Sequence, residues 1–183
     1  MCTSPQSSIR NEWQPGDKSL RSDSRSIQTP SPTTFNSLPN ESNHMSSKLM
    51  DYFNKSPRIG TLSTADKAGS VDSGVFGSPH MTDEKTVLMG LGNSRTLANL
   101  QQNPQAVYLI MEPGATIMDW KGIRVYLKVQ AIATSGPVLD AFKANMAKVA
   151  GEAAAKMIYA TVSFGITEIR PLIDMGQGWE KSV

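Results

Sequence analysis

Several residue types that support common protein chemistries are scarce in this sequence. A single cysteine, Cys2, excludes an internal disulfide framework and any cysteine-based metal cluster. The two histidines, His44 and His80, are too few to build a metal site of their own. The net charge is only +2, and no stripe of lysine and arginine alternates with aromatic residues, so nucleic acid is not an expected partner.

The sequence also lacks long apolar runs and catalytic motifs. No stretch approaches the length of a membrane-spanning helix, and no secretory signal follows Met1, so we expect a cytoplasmic protein with no membrane partner. Neither histidine lies in a recognisable catalytic triad, which leaves nucleophilic catalysis without support. The carboxylates of Asp66, Asp72, Asp83 and Glu84 fall in predicted turns, where solvated acidic residues are common. No catalytic side chain is therefore predicted.

The residues that are present divide the chain into a polar part and a more apolar part. Residues 1–43 are rich in serine, proline, threonine and asparagine, which is typical of disorder. We expect a disordered tail over residues 1–45, a folded domain over 46–172 and a C-terminal tail over 173–183. Met45 precedes the first apolar residues at helical spacing and is a candidate start codon, in which case the upstream residues are not native. Mass spectrometry of the natively produced protein would test this hypothesis, and a mature N-terminus before Met45 would contradict it.

The folded part is predicted to consist mainly of β-strands. A hairpin is predicted over residues 59–77 with a turn at 66–69, another turn at 82–85, and apolar strands over 86–91 and 106–111. Two longer strands follow, and the alternation of apolar and polar residues predicts which side chains point inward. These are Val125, Leu127, Val129, Ala131 and Ala133 on the first, and Ile158, Ala160, Val162, Phe164 and Ile166 on the second.

Two helices are expected among these strands. The shorter one begins after Asn93 or Ser94 and ends before Pro104, and Pro137 opens the longer one. The apolar residues of the longer helix recur at spacings of three and four and are predicted to pack on the sheet. They are Leu139, Phe142, Met146, Val149 and Ala153. Six antiparallel strands with two helical insertions fit a small barrel better than alternating parallel units.

The start of the shorter helix is a candidate phosphate site. Free backbone amides, the hydroxyls of Ser94 and Thr96 and the guanidinium of Arg95 converge there. A cation in the first turn opposes the helix dipole, and a bound anion would remove that conflict. A capped surface helix with a solvated Arg95 is the alternative, and these residues alone do not distinguish the two.

A family resemblance favours the phosphate site. The run GLGNSRTLANLQQNPQAVYLIM over residues 90–111, with LSTADKAGSVDSGVFGSP before it and GIRVYLKVQAIAT after it, resembles the FMN-binding split-barrel family. This family includes pyridoxamine 5'-phosphate oxidase and small FMN-binding proteins, and the resemblance covers residues 49–169. It implies a mainly β fold, a six-stranded antiparallel split β-barrel with one short and one longer helix. It also implies a homodimer that binds FMN at its interface.

The resemblance assigns expected roles to individual residues. Ser94, Arg95 and Thr96 match the segment that holds the FMN phosphate, with Asn99 nearby. The backbone beside the isoalloxazine ring corresponds to Val75, Phe76, Gly77 and Ser78. Met89 and Gly90 match positions beside the flavin or its ribityl chain, and Arg124 matches a polar flavin contact. Glycine within a strand often marks a close approach of a ligand to the backbone, although flexibility near a sheet edge also explains Gly77.

Three departures from the family limit what the resemblance implies. The arginine and lysine that the oxidases carry on the earlier strand are not evident around residues 74–79. Thr96 replaces the usual lysine of the phosphate segment, and the substrate-binding C-terminal segment of pyridoxamine 5'-phosphate oxidases is missing, so that specific activity is not expected. We expect an FMN-dependent oxidoreductase that works on a small-molecule electron donor or acceptor. One alternative is a non-enzymatic FMN-binding module for electron transfer or flavin storage. Another keeps the fold but binds haem or a deazaflavin.

Overall fold

The computed structural model describes residues 41–183, with side chains from Lys48 onward. The predicted disordered tail lies outside the described residues except at its last positions, where the first helix begins. The described part contains four α-helices and seven β-strands. In chain order they are α1 (Glu41–Asn54), β1 (Ile59–Ala65), β2 (Val71–Val75), β3 (His80–Asp83), β4 (Thr86–Leu91), α2 (Arg95–Gln102), β5 (Gln105–Glu112), β6 (Lys121–Ala133), α3 (Pro137–Ala150), α4 (Glu152–Met157) and β7 (Ala160–Pro171). Short 3-10 turns lie at Ile117–Asp119 and Trp179–Ser182.

The prediction of six strands is wrong by one, and the additional strand is β3. The sequence predicted a turn over residues 82–85, because four residues with one buried side chain show no alternation that could be recognised. Pairing with β4 creates this strand, with His80 opposite Leu88 and Met81 opposite Val87. Helix α1 contains the apolar residues at helical spacing that follow Met45, as the sequence predicts. The longer predicted helix is divided in two, because Gly151, at φ +87°, separates α3 from α4.

All neighbouring strands are antiparallel, in the order β2-β1-β5-β6-β7-β4-β3. The chain passes from β2 at one edge to β3 at the other through only four residues, 76–79. In a flat sheet these edges would be about 29 Å apart, at roughly 4.8 Å per strand spacing. A link of five peptide units reaches at most about 19 Å. The sheet therefore has to curl until its two edges approach each other, which gives the barrel.

The core lies on the inner face of this curled sheet. Tyr108, Phe164, Val125 and Leu62 are each at most 1 % exposed, and Phe53 of α1 packs 5.5 Å from the Tyr108 ring. Helix α2 closes the side near β1 and β2 with its buried Leu97 and Leu100. No helix in the described part of the chain is long and apolar enough to cross a membrane.

The inward-facing pattern predicted for the two long strands is correct over only part of their length. Ala160, Val162 and Phe164 of β7 are fully buried, as are Val125 and Leu127 of β6. Further along β6, Ala131 is exposed, while Ile132 packs against the core. The register with β7 shifts between Val129 and Ala131, and an extra residue in a strand exchanges its two faces.

Helix α3 packs on the sheet less closely than predicted. Leu139 is buried and the ring of Phe142 lies against Gly90, but Val149 is 77 % exposed. Ala153, predicted as a continuation of the same face, is exposed on α4 because the chain turns at Gly151. Much of the apolar face of α3 is therefore left to line a cavity.

Candidate functional site

The two chain segments predicted to hold a flavin lie side by side where the barrel closes. We name residues 72–78 and 90–96 the closure seam. The hydroxyl of Thr96 donates a hydrogen bond to a carboxylate oxygen of Asp72, at 3.3 Å. At the other end of the seam, the hydroxyl of Ser78 donates to the carbonyl of Gly90, at 3.1 Å. The two hydrogen bonds thus bring together residues that are 12 and 24 positions apart in the sequence.

The start of α2 is formed as the sequence predicts. Ser94 is the N-cap, and its hydroxyl accepts a hydrogen bond from the Leu97 amide at 3.5 Å. The Arg95 side chain is exposed and has no ion pair or hydrogen bond within residues 48–183. Together they present a hydroxyl, free amides and a cation on one exposed surface, which suits an anion such as a phosphate.

The other two residues predicted near the phosphate are engaged with the protein itself. Thr96 is 5 % exposed and its hydroxyl is directed at Asp72. Asn99 is 4 % exposed, and its amide donates to the hydroxyl of Thr64 at 3.1 Å. These contacts fasten α2 to β1 and β2 rather than leaving both side chains free for a ligand.

Asp72 is the residue at this site that the sequence reasoning missed. From the sequence it is interpreted only as a solvated carboxylate, although it lies on the predicted second strand of the hairpin, where the two-residue period puts it on the same face as Gly74. That period was the signal that could have found it. Its carboxylate complements the positive end of the α2 dipole, but it would repel a bound phosphate. Arg95 and Asp72 thus act in opposite directions on an anion, so the site fits a phosphate group with one unfavourable neighbour.

The backbone of residues 75–78 is fixed by hydrogen bonds at Phe76, and no atom covers it at Gly77. The Phe76 carbonyl accepts a hydrogen bond from the Tyr108 hydroxyl at 2.7 Å, and the Phe76 amide donates to Gly60 at 2.9 Å. Burial raises the pKa of the Tyr108 hydroxyl, which keeps it a donor. A Cβ at Gly77 would meet no atom within 4 Å. Val75 is 75 % exposed, so a flat ligand can approach the chain here.

Met89 and Gly90 serve the packing of the core and of α3. Met89 is 1 % exposed. A Cβ on Gly90 would lie 2.4 Å from the ring of Phe142, so the absence of a side chain makes room for α3. Any contact of these two residues with a ligand would come from their backbone.

Arg124 lies on the outer face of the sheet, in the same cross-strand row as Val75. Its guanidinium donates to the Pro171 carbonyl at 3.0 Å and lies 3.4 Å from Asp174. The Gly176 amide and the guanidinium of Arg170 lower the pKa of Asp174. Arg124 is thus engaged with the C-terminal segment in this structure.

A cavity of about 790 Å³ lies between α3 and residues 77–80. Of the predicted site residues, Gly77 and Ser78 line it, whereas Ser94, Arg95 and Thr96 do not. His80 and Arg58 also line it. His80 is exposed and makes no side-chain hydrogen bond within the described range. Sequence reasoning did not single out Arg58, because a lone arginine after Pro57 carries no recognisable motif.

Comparison with known proteins places the fold. No protein-family model matches the chain, and no curated protein sequence matches it significantly. Among solved structures, the chain is similar to an FMN-binding protein from Syntrophomonas wolfei subsp. wolfei, at 22 % identity and a TM-score of 0.60 over 74 % of this chain and 93 % of that one. It is similar to HupZ from Group A Streptococcus, at 19 % identity and a TM-score of 0.56 over 69 % and 92 %. HutZ, a haem storage protein from Vibrio cholerae, matches at 14 % identity and a TM-score of 0.52 over 67 % and 91 %.

These likenesses show the type of fold, a curled antiparallel sheet with inserted helices. The particular fold is the split barrel of FMN-binding proteins, and the resemblance seen in the sequence is confirmed at the level of the fold. Identities below 25 % show the fold and leave the ligand to be argued from the site.

Proposed function

We propose that this protein binds FMN, with the phosphate at the start of α2 and the isoalloxazine ring along residues 75–78. The observation that carries the proposal is the closure seam, which holds these two segments side by side through the Thr96–Asp72 and Ser78–Gly90 hydrogen bonds. The exposed Arg95 supplies a cation that has no protein partner in the described part of the chain. The similarity to an FMN-binding protein over 93 % of that protein's length supports the same ligand.

In this proposal the protein binds and orients while the flavin reacts. Bound FMN supplies reversible electron transfer. Arg95 and Ser94 hold the phosphate, and the backbone from Phe76 to Gly77 positions the ring. We propose an oxidoreductase acting on a small-molecule donor or acceptor, and a non-enzymatic module for electron transfer or flavin storage is the alternative with the same ligand.

We propose a homodimer formed through the outer face of β2, β1, β5 and β6. Apolar side chains lie uncovered on this face, including Val71 at 82 %, Val75 at 75 % and Ile59 at 50 % exposure. Several exposed apolar side chains on one face of a sheet favour an interface there. Because Val75 belongs to the closure seam, a second copy packed here would cover the exposed side of the flavin site and exclude water from it.

The absorption spectrum and mass spectrum of the purified protein test the ligand. We expect a yellow protein whose released chromophore has the mass of FMN. A colourless protein that takes up no added FMN would overturn the proposal. If FMN is bound, consumption of NADH or NADPH with artificial acceptors supports an enzyme, whereas a bound flavin that does not turn over supports a carrier.

Haem is a second candidate ligand, favoured by the position of His80. This histidine lines the 790 Å³ cavity together with Arg58, and imidazole is a common ligand of haem iron. One structure of similar fold belongs to a haem storage protein. A Soret band that develops on titration with haemin and disappears in His80→Ala would support haem. The same band in His80→Ala would exclude this histidine as the ligand.

A further inference from the structure

The cavity beside residues 77–80 combines an apolar wall with one cationic group. The wall is the apolar face of α3, which lines the cavity with Val138, Phe142, Met146 and Val149. Val138 is 53 % and Val149 is 77 % exposed. Exposed apolar side chains that line one concave space are the usual setting of a small-molecule site. At about 790 Å³, the space is large enough for a molecule of several fused rings.

The cation is Arg58, which lines the cavity. Its guanidinium donates to the carbonyls of Lys55, at 3.2 Å, and Pro79, and it lies 5.3 Å from the centre of the Phe53 ring. Its Nε is buried and has no hydrogen-bond partner. Four ion pairs join the described residues, and none of them includes Arg58.

A partly buried guanidinium without a counter-ion is unfavourable, because the neutral carbonyls around it satisfy hydrogen bonds but leave its charge uncompensated. No neighbouring side chain in the cavity wall supplies an anion. Asn54 uses both ends of its amide on the backbone of Met81, at 2.9 and 3.1 Å. An anionic group on a ligand would provide the missing counter-charge, and arginine binds carboxylates and similar groups well.

We propose that this cavity binds a flat apolar molecule that carries an anionic group, with its apolar body against α3 and its anionic group directed to Arg58. Gly77 and Ser78 belong both to this cavity and to the proposed flavin contact. A molecule bound here would lie next to the flavin, so we infer that it is the substrate of the proposed flavoprotein. The assignment as a substrate rests on the proposed function. An aromatic acid and haem, with its two carboxylates, share this chemistry, and only haem would use His80 as a ligand.

A matched pair of probes tests the proposal. 2-Naphthoate and 2-naphthamide have the same apolar body, and only the first carries a charge. We expect the wild-type protein to bind naphthoate at least tenfold more tightly than naphthamide, measured by equilibrium dialysis at pH 7. Arg58→Gln should remove this preference and Arg58→Lys should keep most of it. Lys148→Gln, which removes a charge from α3 outside the cavity, is the control and should leave the preference unchanged.

A second variant keeps the test valid where Arg58→Gln fails to fold. Ala141 is an exposed residue of α3 that lines the cavity, so Ala141→Trp fills the space from the helix surface without disturbing the core. It should abolish binding of both probes. Equal affinities for the two probes in the wild type, or unchanged naphthoate binding in Ala141→Trp, would overturn the proposal.

Further measurements distinguish haem from a small aromatic acid as the ligand. They also distinguish a failure of this inference from a failure of the proposed FMN binding. Haemin binding that is lost in His80→Ala, with naphthoate binding intact, assigns the cavity to haem. Displacement of naphthoate by small aromatic acids, without a Soret shift on haemin addition, assigns it to a substrate. If naphthoate binds with the expected preference and FMN does not bind at all, the inference stands and the proposed function fails.

Discussion

At the residue scale, two side chains of opposite charge decide how well α2 can hold a phosphate. Arg95 is exposed and without a protein partner among the described residues, so Arg95→Ala removes one charge-assisted bond and little else. We expect FMN affinity to fall by about 1.5–3 kcal/mol, measured by quenching of flavin fluorescence. Lys67→Ala, which removes an exposed cation from the β1–β2 turn, is the control. An unchanged affinity would make Arg95 a solvated surface residue.

The opposite change at Asp72 should strengthen binding. Asp72→Asn removes a negative charge beside the phosphate site and keeps an acceptor for the Thr96 hydroxyl. We expect FMN to bind more tightly by about 1 kcal/mol, the size of the repulsion between two unit charges about 4 Å apart in water. Riboflavin, which lacks the phosphate, is the control ligand. An equal change for riboflavin would mean that Asp72 acts on the fold rather than on the phosphate.

At the scale of single elements, two glycines near the hydrogen bond between Tyr108 and Phe76 should differ in how an added methyl group changes stability. A Cβ at Gly60 of β1 would lie 2.0 Å from the Tyr108 hydroxyl, so Gly60→Ala forces the core apart. We expect a loss of about 1–3 kcal/mol in unfolding free energy, measured with urea. Gly77→Ala meets no atom within 4 Å and should change stability by less than about 0.5 kcal/mol. A weakened FMN affinity in Gly77→Ala would place the ligand against this backbone, and equal stabilities of the two variants would contradict the packing argument.

The sequence predicts elements whose pattern is complete within a few residues. Ser94 as the N-cap, β4 and the inward side chains of β7 all belong to this group, because a cap or an alternation is a local signal. The remaining features depend on distant partners. Strand β3 exists because β4 pairs with it, and the exchange of faces after Val129 depends on the register with β7. The carboxylate that Asp72 brings to α2 depends on the closure of the barrel.

The C-terminal segment provides a pH-dependent element. The Gly176 amide and Arg170 lower the pKa of Asp174, so its contacts stabilise the folded state above the unfolded pKa, about 3.9, and are lost as pH falls through the lower folded value. We expect the protection factors of residues 173–183, which are exchange rates corrected for the intrinsic pH dependence, to fall below pH 4, and the same loss of protection in Asp174→Asn at pH 7. Amides of β1 serve as the reference, and a uniform loss of protection across both would indicate global unfolding instead.

At the scale of the whole molecule, the proposed dimer predicts on which surface an introduced lysine disrupts dimerisation. Val75→Lys lies on the outer face of the sheet and should dissociate the dimer in analytical ultracentrifugation. Val149→Lys, at a position of similar exposure on α3, is the matched control and should leave the mass unchanged. Because the interface covers the flavin site, FMN affinity should fall together with dimerisation. A monomeric wild type would exclude the arrangement.

The short connection over residues 76–79 limits the distance between the two edges of the sheet and thereby sets the curvature of the barrel. Within residues 41–183 it is the one link that joins the two edge strands of the sheet, so its length limits how far those edges can separate. Adding two or three glycines there would relax the curvature of all seven strands at once, whereas the same insertion at Gly69 would lengthen a hairpin locally. The other loops around the barrel can therefore differ in length without changing its curvature, whereas the number of residues at this crossing limits it.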